Sequence, residues 1–90
     1  MAAADTAIPQ AKRKIHGRVR VTLDIVCHKP KSTKLITPRG DIDNYMKAIL
    51  DAVTKKGYWH DDAQVAEINA VKRYAMEHEE PHTNIEIYPL

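Results

Sequence analysis

Met46, Ile49, Leu50 and Val53 are spaced i, i+3, i+4 and i+7, an apolar stripe that an α-helix gathers onto one side. The segments on either side of that helix carry the other period. Before it, Val19, Val21, Leu23, Ile25 and Cys27 alternate with Arg20, Thr22, Asp24 and Val26, the pattern of a half-buried β-strand. After it, Ala66, Ile68, Ala70, Tyr74 and Met76 share one parity between Gln64 and Met76, interrupted by Lys72. This predicts a second strand, frayed or bulged near its end. "NIEIY" (84–88) reads as a short third strand. The order β-α-β-β predicts an α+β fold, a small mixed β-sheet with one main helix on a face. If the first two strands are parallel, their crossover is expected to be right-handed.

The helix has its own punctuation. Asp43 is the expected N-cap and Gly57 the C-terminal stop, with Lys55 and Lys56 in the last turn, where the helix dipole favours cations. Tyr58 and Trp59 are expected in the core. Residues 1–13, Ala-rich, then basic and without period, are expected to form a loose basic N-terminal tail, with 14–90 as a single domain. Ninety residues bury a limited core, and a second copy of the chain or a ligand would help stabilise it. The single cysteine, Cys27, cannot form an intrachain disulfide, which fits a reducing cytoplasm. No apolar run approaches the roughly 20 residues of a membrane span, and the start lacks a signal-peptide pattern. A cytoplasmic location without a membrane partner is therefore expected.

Charge is unevenly distributed. From Lys12 to Arg39 there are nine Lys/Arg against one acid, Asp24; from Gly40 onward there are five basic and ten acidic residues. A basic half of this kind suits a polyanion, although a solvated strand and loop would look the same. The loop "KPKSTKLITPRG" (29–40) holds Lys29, Lys31, Lys34 and Arg39. With Arg18 and Arg20 these are the candidate nucleic-acid contacts.

Two acidic pairs, Asp41/Asp43 and Asp61/Asp62, frame the helix, and Lys47 follows Asp43 by four residues. An N-cap with an i,i+4 ion pair would account for Asp43 and Lys47 by themselves. Clustered carboxylates, however, repel unless a cation neutralises them. Magnesium takes oxygen ligands and binds through one or two carboxylates plus a substrate phosphate. A lysine nearby can neutralise charge developing on a phosphoryl group. The pattern therefore points to metal-dependent phosphodiester chemistry, with Mg2+, or Mn2+ as a substitute. Other candidates carry less. His78 and His82 have zinc-like spacing but are broken by Pro81, Cys27–His28 lies on a buried strand parity, and His60 reads as a surface turn histidine.

The segments "CHKP" and "DIDNYMKAILDAVTKKGYWHDDAQV" resemble the RusA-type Holliday junction resolvases of bacteria and their phages. The shared pattern is D-x-D-N-x-x-K, a helix reading L-D-A-[LV]-T-K, a glycine, an aromatic or apolar pair, and D-D-x-Q-V. The resemblance implies a homodimeric, magnesium-dependent endonuclease of a bacterial or phage-infected cell, cutting four-way DNA junctions by symmetric paired nicks in recombination and repair. By position it implies that Asp41, Asp43 and Asp62 are the essential metal-binding carboxylates, Lys47 the essential lysine, and Asp61 a supporting acid. The loop before Asp41 corresponds to an arginine-rich, DNA-contacting loop of the family. Here it is longer and uses lysines, which neutralise phosphate without the planar guanidinium fork. Family members usually begin with an additional strand and helix, where this sequence shows only a short basic tail.

A helix from about 44 to 56 places its ends about 20 Å apart, so Asp43 and Asp62 of one chain cannot share an ion unless "GYWHD" folds back. The expectation is a composite site in which a two-fold axis brings one protomer's Asp62 to the other's Asp41 and Asp43. Two other readings stand beside it. One is a catalytically degenerate module that binds branched DNA. The other is a metal enzyme acting on a nucleotide or sugar phosphate.

Overall fold

The computed structural model describes residues 8–90. Strand β1 (Val19–Cys27) is central, flanked by β2 (Val65–Tyr74) in parallel and β3 (His82–Pro89) antiparallel, giving the order β2-β1-β3. Helix α1 (Ile42–Lys55) and a short 3-10 turn (Asp62–Gln64) lie between β1 and β2 in sequence. The result is the expected small mixed sheet with one main helix.

Alternation along β1 explains the packing. Val19, Val21, Leu23 and Ile25 are buried with Ile49, Val53 and Trp59, so one sheet face and the helix stripe form a single core. Ile68 and Ala70 on β2, opposite Val21 and Leu23, and Ile85 and Ile87 on β3 extend that core on both sides. The opposite face is largely polar. There Arg20 lies 3.7 Å from Glu67 and 4.9 Å from the Tyr88 ring, and Arg73 forks between Asp24 and Glu79.

The structure moves several expected boundaries. The N-cap is Asp41, not Asp43, which lies in the first turn; the Asp41 backbone is extended and its side chain makes no capping bond. The helix starts earlier because Gly40, at φ +91°, reverses the chain before it. The irregularity in β2 falls at its beginning, where Val19 pairs with Val65 and Arg20 with Glu67, leaving Ala66 extra. Met76 lies beyond the strand, and the third strand is longer than predicted. Gly57, at φ +83°, ends α1 as expected, and Trp59 is buried with its Nε1 donating to Thr54 Oγ1 at 2.7 Å.

Of the expected loose tail, residues 1–7 lie outside the described residues, and 8–13 are held against the helix end. Ala11 N and Gln10 Nε2 donate to Lys56 O, and Tyr58 Oη donates to Pro9 O. Ile15 then bridges to Trp59 before the chain enters β1. Among the described residues, no helix is long and apolar enough to cross a membrane.

Candidate active site

The parallel pairing of β1 and β2 decides where the acids lie. The loop leaving the end of β1 delivers Asp41 and Asp43 to the start of α1, close to the end of β2. The helix then runs back, so Asp61 and Asp62 precede the start of β2. Fourteen helical residues span about 21 Å. The structure therefore keeps the two acidic pairs apart within one chain. Among the described residues, no group of three His, Cys, Asp or Glu is arranged to hold a metal ion.

At the Asp41 end, four successive carbonyls are tied down by three side chains. Tyr74 Oη donates to Thr37 O at 2.9 Å, Tyr45 Oη to Arg39 O at 2.7 Å, and Lys72 Nζ to Pro38 O at 2.7 Å and also to Gly40 O. Asp41 and Asp43 emerge from this tethered turn with exposed side chains. Lys47 is exposed on the next turn; among the described residues it makes no ion pair, so the expected Asp43–Lys47 contact is not closed. Its ammonium is thus available to an incoming anion.

At the other end, Gln64 organises the turn. Its Nε2 donates to Ile15 O and Gly17 O, both at 2.8 Å, while its Oε1 accepts from His60 N and Asp61 N at 2.7 and 3.1 Å. Asp61 accepts from Ala63 N at 2.9 Å. That bond, reinforced by the one with Asp62, holds the Asp61 carboxyl below its usual range. The hydrogen bond with Asp61 pushes Asp62 up, and partial desolvation and the charges of Asp61 and Asp51 add to it. Two carboxylates in this relation repel, and a cation would relieve them.

The hard-oxygen chemistry of Asp41 and Asp43 suits magnesium, which needs only one or two carboxylates beside its waters and a substrate phosphate. Asp62 belongs to the other end of the molecule.

The six basic candidates separate into two groups. Lys29, Lys31, Lys34 and Arg39 are exposed on the 28–40 loop, next to Asp41. That loop also borders a cavity of about 230 Å³ lined by Cys27, His28, Tyr45 and Tyr74 among others. Arg18 and Arg20 lie at the far end of β1, and Arg20 is engaged by Glu67 and Tyr88. Of the two histidines with zinc-like spacing, His78 sits in a turn at φ +69°, and His82 Nδ1 contacts Glu80 O. His60 is exposed and shares a 2.9 Å contact with His16. Tyr45, Tyr58 and Trp59 are all packed against the core rather than free.

Sequence reasoning did not assign roles to Gln64, Lys72 or Tyr74. The only available signals were the Gln of D-D-x-Q-V and a lysine interrupting an apolar parity.

The fold and the site together define a small three-stranded α+β domain that carries a paired-carboxylate turn beside an exposed cationic loop. More particularly, the chain belongs to the family described as Endodeoxyribonuclease RusA, whose model matches residues 1–88. It is 46% identical over 52 residues to the crossover junction endodeoxyribonuclease RusA of Escherichia coli K12, and equally to that of Enterobacteria phage 82. The protein of the same name from Escherichia coli O139:H28 is 42% identical over the same length. Each match takes in 58% of this chain and only 39% of the relative. No solved structure matches the chain.

Proposed function

We propose that the chain acts as a magnesium-dependent endonuclease on four-way DNA junctions, as a homodimer that makes paired, symmetric nicks. The observation that carries this reading is the placement of Asp41 and Asp43 on a tethered turn directly after the exposed cationic loop. Membership of the RusA family and the names of its relatives support the same reading.

Asp41 and Asp43 of one protomer, with Asp62 of a second copy, would hold the ion, and Asp61 would support Asp62. When bound, magnesium or manganese supplies a Lewis acid for a phosphoryl oxygen and lowers the pKa of a water. Lys47, one helical turn beyond Asp43, neutralises charge gathering on the scissile phosphate. Lys29, Lys31, Lys34 and Arg39 hold the backbone by its shape rather than its bases. Two such sites related by a two-fold axis suit a substrate in which two matching strands are cut. The cytoplasm of a bacterium or a phage-infected cell is the fitting location.

The separation of the acids within one chain also favours a second reading, a branched-DNA-binding module without chemistry. Cleavage of a labelled synthetic four-way junction with magnesium, beside Asp43→Asn and Lys47→Ala variants, decides between them. Paired nicks by the parent and none by Asp43→Asn, with binding retained in chelator, are expected. An intact junction with salt-sensitive binding in every lane would establish the module. Absence of DNA affinity at low salt would turn attention to a nucleotide or sugar phosphate as substrate.

A further inference from the structure

Lys72 is out of place by the logic of its strand. It lies on the helix-facing parity of β2, opposite Ile25, where Ile68 and Ala70 pack into the core. A half-buried ammonium there is costly unless its donors are satisfied. Lys72 Nζ meets that need with two backbone carbonyls, those of Pro38 and Gly40, 34 and 32 residues earlier. These carbonyls flank Arg39 and end one residue before Asp41. Tyr45 and Tyr74 take the remaining two carbonyls of the 37–40 run, so Lys72 is the charged member of a three-residue tether.

The turn it holds cannot hold itself. Gly40 is at φ +91°, and a Cβ there would come within 3.1 Å of Tyr45 Cε2, so the backbone passes through a conformation that favours glycine and a gap in which a side chain would press on that ring. Glycine supplies no side chain to fix the turn. A flexible residue immediately before the Asp41–Asp43 pair would let the carboxylates wander, and a metal site loses affinity when its ligands are not oriented.

We infer that Lys72 is the positioning residue of the Asp41–Asp43 pair: by bridging Pro38 O and Gly40 O to β2, it sets the affinity of those carboxylates for a divalent cation. Its role is distinct from that of Lys47, which faces solvent one turn into the helix. The inference rests on the metal-binding reading proposed above for Asp41 and Asp43.

The test is Mn2+ binding followed by electron paramagnetic resonance on the whole chain without DNA, for the parent, Lys72→Met and Lys72→Arg. Thermal melting is run on the same samples. Lys72→Met is expected to weaken Mn2+ binding by about tenfold or more, within the range seen for outer-shell partners of metal ligands. Its melting temperature should change little, because the methionine stem can occupy the same apolar surface. Lys72→Arg, whose guanidinium can also reach two carbonyls, should recover most of the affinity. Equal Mn2+ binding by the parent and Lys72→Met would overturn this inference alone. So would affinity losses that follow the melting temperature across both variants, since Lys72 would then serve only the fold. No Mn2+ binding by the parent would overturn the metal reading of the acids, and this inference with it.

Discussion

Gln64 Nε2 donates to Ile15 O at 2.8 Å, joining two residues 49 positions apart and pinning the Asp61–Asp62 turn to the segment that enters β1. The same amide also serves Gly17 O, His60 N and Asp61 N, so every hydrogen-bonding position of this side chain is used. Gln64→Leu keeps the size of the side chain and removes all four bonds. The variant should lose about 2 kcal/mol of stability, since solvent can replace part of what is removed at a half-exposed site. Urea unfolding reads this as a lower midpoint with an unchanged slope. A midpoint equal to the parent's would show that the turn is held by other contacts.

Gly40 makes a second test of the backbone around the acids. Gly40→Ala forces a Cβ into the left-handed region against Tyr45, at a cost of about 1–2 kcal/mol. For a domain of this size that lowers the melting temperature by about 4–8 °C per kcal/mol. Junction cleavage should fall further than the stability loss accounts for, because the strain sits one residue from Asp41. Cleavage that simply tracks the folded fraction would count against a special role for this turn.

Acid stability should report the Arg73 network. Arg73 donates to both oxygens of Glu79, at 2.7 and 2.8 Å, and to both oxygens of Asp24 at 3.1 Å. The bonds from Arg73, then the one from Met76 N, hold the Glu79 carboxyl down at about 2 against an ordinary 4.5. A depressed folded-state value means that ionised Glu79 stabilises the fold. Its contribution is complete above about pH 4.5 and is lost as pH falls towards 2. Stability of the parent should therefore decline across that window, and Glu79→Gln should flatten the decline. Parallel pH profiles for the two proteins would exclude this network as the source.

The division of the basic residues predicts unequal salt effects on DNA binding. Every DNA phosphate that the protein neutralises adds about 0.9 to the steepness of log K against log salt. Lys31→Ala and Lys34→Ala together should reduce that steepness by about 2, whereas Arg20→Ala, whose guanidinium is engaged by Glu67 and Tyr88, should leave it nearly unchanged. Equal effects at Arg20 and the loop lysines would place DNA across the far end of β1 as well.

Much of this protein was legible from its sequence because the relevant signals are local. Val19 to Cys27 alternate and Met46 to Val53 recur at helical spacing, so a strand and a helix follow from which side chains must share a face. The acidic pairs lie next to the helix ends in sequence, and their separation follows from its rise. Even the N-cap differs from expectation by only two residues, a shift caused by the reversal at Gly40. Periodicity says which face of a strand is apolar but not which strand lies beside it. Tertiary structure alone decided that β1 stands between β2 and β3, that Arg20 turns to Glu67 and away from the loop cations, and that Lys72 and Gln64 tether turns 32 to 49 residues distant. Those bonds join residues that are brought together only when the sheet closes, and no local pattern of side chains records them.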